Sequence, residues 1–398
     1  MRLFPGLLLV GLITVAAVPS DTEVRNIAQE NNAFAFDLYK EITKKEQGNL
    51  FFSPFSISTA MAMTYAGADG STAEEISKVM HFGPNTLAFH KSYGNYLSVL
   101  DQNAEGHIQL RIANKLWGEQ HYAFNSEFID INASAYKSSL KKVDFMSAWE
   151  ASRVQINSWV ARKTEDRIKD LIPQGALTTD TRLVLTNAIY FKGDWLYAFK
   201  KKDTKPRKFY TSNNTTTTVD FMNYKGGLNY FENQTYKMLR LPYKGKQQSM
   251  VIVLPHKPKD LEKVESLQSS KLLQQVWYSG MPEVIVSIPK FKMTKPLGLK
   301  NHLKTMGMLD AFKDGANFSK MTPTNDLYIS DVLHKAFVEI DEKGTEAAAA
   351  TAVVMTIESM APSQPEKPKK FIADHPFLFY IIDDKTQAIL FMGRIMNP

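Results

Sequence analysis

Helical patterns fill the first half of this chain and strand patterns the second, and nothing divides the two. Ala33, Phe36, Tyr39 and Ile42 in "NIAQENNAFAFDLYKEITKK" recur at helical spacing. A small-residue helix follows in "SPFSISTAMAMTYAGADG", ending at Gly67 or Gly70. Further helices are predicted in "STAEEISKVM", "FHKSYGNYLSVLDQ", "NSEFIDINASAYK" and "WEASRVQINSWVARKTED". "QLRIANKLWG" and "TRLVLTNAIYFKGDW" carry the β-branched and aromatic content of strands. Strands then crowd together in "TTTTVDFMNY", "GLNYFEN", "YKMLRLPYK", "QSMVIVLP", "EVIVSIPKFKM", "VLHKAFVEIDE", "FLFYIID" and "AILFMGRIMNP". No Pro-, Gly- or Ser-rich linker and no internal repeat separates the halves. This order predicts an α+β protein with a single domain over residues 21–398.

The chain can build the core such a fold needs. Of its 398 residues 44% are hydrophobic and 22% charged, a globular balance. Arg2, the apolar run "LLLVGLITVAAV" and the small residues Ala16, Ala17 and Ser20 describe a secretory signal peptide over residues 1–20. Cleavage after Ala17 or Ser20 leaves a mature, extracellular chain, expected to be soluble and monomeric. No later run reaches the roughly 18 apolar residues of a membrane span. There is no cysteine, so a secreted chain of this kind takes its stability from packing. Sequons at Asn132, Asn213, Asn214, Asn233 and Asn317 are glycan candidates, with the polar tip "NNTTTT" the best placed.

Several function classes drop out. A net charge of +7 over this length falls short of a nucleic-acid-binding signature. HExxH, GxSxG, CxxC and phosphate-loop motifs are absent, and the eight histidines have no metal-ligand spacing, so neither metal nor cofactor is expected. Ser53, Ser56 and His334 resemble a nucleophile and base only on paper, since no elbow-type turn presents either serine. They read better as a hydrogen-bonded core cluster. The run "FKKKDTKPRKF" at 199–209 supplies Lys200, Lys201, Lys202, Lys205, Arg207 and Lys208 against one acid. It offers a contact for a sulfated polysaccharide or an acidic partner, although its ordinary reading is a solvated loop.

One stretch resists assignment. "GTEAAAATAVVMTIESMAPS" starts at Gly344 like a helix, continues like a strand, and is fenced by "DEKG" and "QPEKPKK". A buried central strand would suit "ATAVVMTI", which is an aggregation hazard if exposed. No proline occurs from Gly344 to Ala361, so every residue can donate to a sheet ladder.

Five segments resolve it. "NLFFSPFSISTAMAMTYAGADGSTAEEI" (49–76), "LTNAIYFKGDW" (185–195), "SIPKFKM" (287–293), "VLHKAFVEIDEKGTEAAAAT" (332–351) and "ADHPFLFYI" to "ILFMGRIMNP" (373–398) together resemble the serpin family, in order and at its spacing. The resemblance implies three β-sheets, about nine helices and an exposed reactive-centre loop over about 342–365. It makes Glu342 the hinge glutamate, Gly344 the pivot, Thr345 the first residue to insert, and Glu358–Ser359 the scissile bond. Ser53, Ser56, Asn187 and His334 match the family's shutter, and Trp195, Lys290 and Glu342 its breach, with Lys290 and Glu342 an ion pair. The implied activity is suicide inhibition: a serine protease acylates itself at Glu358, the loop enters sheet A, and the enzyme is trapped. Serpin loop insertion is an established example of strand addition and of a conformational switch, and it comes to this chain with the resemblance.

Alternation along a strand agrees with that role. Insertion from Thr345 turns Thr345, Ala347, Ala349, Thr351, Val353 and Met355 to one face, and Glu346, Ala348, Ala350, Ala352, Val354 and Thr356 to the other. Glu358 calls for a glutamate-directed protease, whereas a slip to Met355, Ile357 or Met360 suits an elastase- or chymotrypsin-like one. The rival is a non-inhibitory serpin acting as carrier, chaperone or signalling partner. Bulky, charged or proline hinge residues would mark it, and "GTEAAAAT" lacks the bulk and the proline.

Overall fold

The computed structural model describes residues 21–104, 106, 108–211, 215–324, 326–345 and 367–398. The expected leader 1–20, Asn213, Asn214, the loop residues Glu346, Ala347, Ala348, Ala349, Ala350 and Thr351, and the Glu358–Ser359 bond lie outside the described residues. Nine α-helices are found among those described. They are α1 (Asp21–Thr43), α2 (Pro54–Tyr65), α3 (Gly70–Met80), α4 (Leu87–Ala104), α5 (Ser126–Tyr136), α6 (Phe145–Lys163), α7 (Leu261–Ser266), α8 (Ser270–Trp277) and α9 (Lys300–Met306).

Each helix follows local chemistry and is then adjusted by packing. Ser53 caps α2 by accepting from Ser56 N–H, and Pro54 occupies the first turn, where its missing N–H costs nothing. All twelve residues of α2 are buried, as an apolar-all-round helix must be. In α1 the buried stripe includes Ile27, Phe34, Leu38 and Ile42, while the expected Ala33 and Phe36 are only half-buried. Buried Asn31 and Asn32 set that rotation by donating to the carbonyls of Ile389 and Gln387.

The strands of the first half are β1 (Leu50–Phe52), β2 (Ile108–Glu119), β3 (Lys141–Val143) and β4 (Leu183–Asp194). Next come β5 (Lys205–Tyr210), β6 (Thr216–Gly227), β7 (Tyr230–Glu232), β8 (Tyr236–Pro242) and β9 (Gln248–Pro255). The last are β10 (Glu283–Pro289), β11 (Phe291–Gly298), β12 (Asp331–Ile340), β13 (Gly344–Thr345), β14 (Lys369–Ile372), β15 (Phe377–Asp383) and β16 (Ile389–Ile395). Sheet A runs β11-β12-β4-β2-β3, with β13 added to the far end of β4. Sheet B runs β1-β16-β15-β9-β8-β7 and sheet C β14-β10-β6-β5. The sheet B strands β9, β15 and β16 are buried on both faces, which is why they read as largely apolar runs.

Two expectations need correction. The basic run is not wholly a loop: from Lys205 it becomes β5, held by the β6 ladder and by Phe209, which is fully buried. Asn132 is no glycan site in the folded chain, because it is fully buried and its Nδ2 donates to Phe128 and Met63 carbonyls. Asn233 is exposed and Asn317 half-buried. No helix among the described residues is long and apolar enough to cross a membrane.

Gly393 shows how closely sheet B is packed. It pairs with Phe51 on β1 and Phe379 on β15, and a Cβ there would collide with the Leu50 carbonyl and approach the Phe379 ring at 3.0 Å. Gly393→Ala is therefore expected to destabilise by about 1–3 kcal/mol. A lowered urea midpoint of unfolding checks this; an unchanged midpoint rejects it.

Candidate functional site

At the centre of sheet A, β12 and β4 run parallel, from Asp331 opposite Val184 to Phe337 opposite Tyr190. Their other neighbours, β11 and β2, are antiparallel to them. Parallel pairing is slightly weaker per residue, so this seam is the soft line of the sheet's interior; the other parallel contact, β2 on β3, is three residues long and lies at the edge. On one face Leu185, Ile189, Phe191, Ala336 and Val338 join the main core. On the other, Ala188, Tyr190 and Phe337 form a second core with Ile156 and Val160 of α6 and with Ile168 and Ile172 beyond it.

Beneath the seam lies a polar cluster. His334 of β12 donates through Nδ1 to Asn187 Oδ1 of β4, and its Nε2 accepts from Ser53 N–H at 3.1 Å. Asn187 Nδ2 donates to Ser56 Oγ and to Asn114 Oδ1, both at 2.7 Å. Ser56 Oγ also donates to Asn114 Oδ1 at 2.9 Å, and Ser53 Oγ donates to the Leu390 carbonyl at 2.6 Å. The four residues expected as a shutter are thus brought together and buried. Asn114, from β2, is a fifth member that the sequence reading missed. An asparagine interrupting the strand pattern "QLRIANKLWG" was its only signal. Ser53 and Ser56 are occupied as a helix cap and network bridges, so the cluster offers no activated hydroxyl.

The other end of the seam holds the residues expected as the hinge's start. Beyond β12 the chain turns at Asp341, whose N–H donates to the Gly344 carbonyl at 2.9 Å. Gly344 and Thr345 then pair antiparallel with Asp194 and Gly193 of β4. Gly344 has φ +152° and lies against the Gly193 carbonyl, where a side chain has no room. Glu342 is buried; Lys290 Nζ reaches its Oε2 at 2.9 Å and Thr204 Oγ1 donates to its Oε1 at 2.8 Å. Burial raises its pKa, but the bonds from Lys290, its own backbone and Thr204 outweigh that and hold it below the ordinary value. Trp195 donates through Nε1 to the Asp341 carbonyl at 3.0 Å and stacks on Tyr243, ring centres 4.6 Å apart. Trp195, Lys290 and Glu342 therefore converge as expected, with Thr204 and Tyr243 as unforeseen partners. Lys200, Lys201, Lys202, Lys205, Arg207 and Lys208 are all exposed nearby, Arg207 paired with Asp374 at 3.2 Å.

The cluster carries a pH signature. Burial pushes His334 down to about 3, in keeping with an Nε2 that must accept a hydrogen bond. The unfolded chain takes up this proton near pH 6.5 and the folded chain only near pH 3. Stability from His334 is thus complete above pH 6.5 and falls as pH drops toward 3, by about 1.4 kcal/mol per pH unit. His90, pushed down to about 4 by burial and then by Lys320, adds a similar slope in the upper part of that window. His334→Asn should keep the His90 slope and lose the other. Urea midpoints measured from pH 7 to about pH 4 in both proteins check this, and parallel slopes would refute it.

A family model described as serpin (serine protease inhibitor) matches residues 29–398. Human Serpin B4 is 41% identical over 395 residues, covering 94% of this chain and 100% of that protein. The leukocyte elastase inhibitor of Xenopus tropicalis is 39% identical over 384 residues, covering 94% and 100%. Among solved structures, human thyroxine-binding globulin in complex with thyroxine matches with a TM-score of 0.84 at 29% identity, covering 94% of this chain and 99% of that one. The three-sheet architecture and the comparisons agree: this chain belongs to the serpin family, a family of serine protease inhibitors.

Proposed function

We propose that this chain is a secreted suicide inhibitor of a serine protease, with Glu358–Ser359 as the bond attacked. The observation that carries this reading is the parallel β12–β4 seam with Gly344 and Thr345 already paired antiparallel on β4. A strand continuing in that register replaces one parallel contact by two antiparallel ones. Each step up the chain from Thr345 meets one step down β4 from Gly193. Ala347 then falls opposite Phe191, Ala349 opposite Ile189, Val353 opposite Leu185 and Met355 opposite Leu183, all of which face the main core. Glu346, Ala348, Ala350 and Val354 fall opposite Lys192, Tyr190, Ala188 and Val184. Small residues there suit the side roofed by α6, and the one charge meets half-exposed Lys192.

In the reaction, the protease serine adds to the Glu358 carbonyl and the Ser359 amine leaves. The freed strand enters the seam while the acyl bond holds the enzyme. About a dozen new ladder hydrogen bonds at ~1 kcal/mol net each match the whole stability of an ordinary domain. The uncut form is accordingly a kinetic trap. Ser53, Ser56, Asn114, Asn187 and His334 act as the shutter that must part; Trp195, Lys290 and Glu342 act as the breach that admits the hinge. The leader 1–20, one domain over 21–398, glycans at the sequons other than Asn132, a monomeric state and a polyanion contact at the 199–209 run belong to the same reading. A glutamate-directed protease fits Glu358, and an elastase- or chymotrypsin-like enzyme fits a shifted cut. The likeness to thyroxine-binding globulin favours one second reading, a non-inhibitory carrier.

Incubation with a panel of serine proteases decides between them. Inhibition gives an SDS-stable complex and a released fragment beginning at Ser359; a carrier gives no SDS-stable complex, whether or not it is cut. Thr345→Arg puts a charge on the core-facing register and is expected to turn inhibitor into substrate, so an undiminished complex yield rejects the insertion scheme. The nicked protein should melt at least roughly 10 °C above the intact one. Equal melting would deny the stored energy.

A further inference from the structure

Sheet C presents a cationic face beside both anchors of the segment 346–366. In its ladder, Lys370 of β14, Ile285 of β10 and Lys225 of β6 stand in one row. Four residues along the ladder, Pro289, Phe221 and Lys205 align, so Lys205 and Arg207 of β5 share the face of Lys225 and Lys370. Pro289, Phe221 and Phe209 of that face are buried, Arg207 lying 5.8 Å from the Phe221 ring centre, and its accessible part is the charged side chains. The turn carrying Lys201 and Lys202 lies on the same face, because Asn223 Nδ2 donates to the Asp203 carbonyl at 2.8 Å. All six basic residues are exposed. Three carboxylates are interspersed: Glu283 on Lys225 at 3.1 Å, Asp374 on Arg207 at 3.2 Å, and Asp203. The face is therefore mixed in sign with a cationic excess.

Its position gives it a use. Thr204, next after that turn, donates to hinge Glu342, and Lys369 opens β14 just beyond the 346–366 segment. An enzyme that closes on a segment tethered at Thr345 and Lys369 comes down beside this face.

We propose that the outer face of sheet C is a docking surface for the target protease, and that this protease carries an acidic rim beside its cleft. This rests on the reading of 346–366 as the segment a protease engages. A protein partner fits better than a sulfated polysaccharide, since two of the six cations already hold carboxylates and Asp203 breaks the run. A polysaccharide favours an unbroken cationic track, whereas another protein's surface is itself mixed in sign. The same face disfavours a strongly cationic protease, which narrows the candidates by a criterion independent of the residue at the cut.

The test uses the full chain and a panel of serine proteases grouped by the charge of their cleft rims. For each, the rate of loss of intact chain is followed from about 0.05 to about 0.3 M salt. Acid-rimmed enzymes are expected to react fastest and to slow about tenfold or more across that range. The combined Lys201→Glu, Lys202→Glu and Lys205→Glu variant should react about tenfold slower with them at low salt and lose most of the salt dependence. Rates that ignore salt, or a variant as fast as the parent, overturn the proposal. So does a rate difference that arises only when heparin is added, which would make the face a polysaccharide site. Loss of intact chain is read whether the cut ends in trapping or in release. The docking surface and the inhibitory reading can thus fail separately.

Discussion

The hydrogen bond from His334 to Asn187 joins the two strands that would have to separate, and most of sheet A is arranged around it. It sits where β12 and β4 run parallel, the weakest type of contact in the sheet. Buried side-chain bonds supply what the ladder lacks, each of modest net worth but costly to leave unmade. Because Nε2 must accept from Ser53, the imidazole has to stay neutral, and the network works only in one protonation state. Asn114 extends it to β2, so three neighbouring strands and the cap of α2 share one set of bonds. Such a network is cooperative, and it holds the seam closed without filling it.

The two ends of the seam are treated differently. Toward Val184 it is closed by strand pairing. Toward Gly193 the two-residue strand β13 is already seated, and Glu342 is clamped by Lys290 and Thr204. Gly344 accomplishes the reversal that places β13 antiparallel to β4 at a point where no side chain fits. Above the sheet, α6 and the segment after it bury a second core against Tyr190, Ala188 and Phe337. A strand entering there, as the proposed insertion requires, would have to be narrow on that side. The alanines in the sequence after Gly344 meet that condition.

Much of this was legible in the chain alone. Helix and strand periods located the long elements, and motifs at 49–76, 185–195 and 332–351 identified the family and most of the seam residues. Elements whose residues conflict with their state were harder. β5 hides in a basic run because the β6 ladder and one buried ring, Phe209, outweigh its solubility. The sequon at Asn132 looks like any other, yet packing of α5 against α2 buries it. The stripe of α1 was displaced because Asn31 and Asn32 turn inward to bond the chain at the start of β16.

By itself, then, the sequence determined what is local or periodic: the order of elements, the cap at Ser53, the proline-free ribbon and the pivot glycine. Tertiary structure decided what depends on residues far apart in the chain. That includes the parallel run of β12 on β4, the inclusion of Asn114 and Thr204, and the gathering of Lys370, Lys225 and Lys205 on one face. The reason is physical. Local pattern fixes which way a side chain points within its own element, but a partner on another element, tens or hundreds of residues away, is chosen only when elements pack.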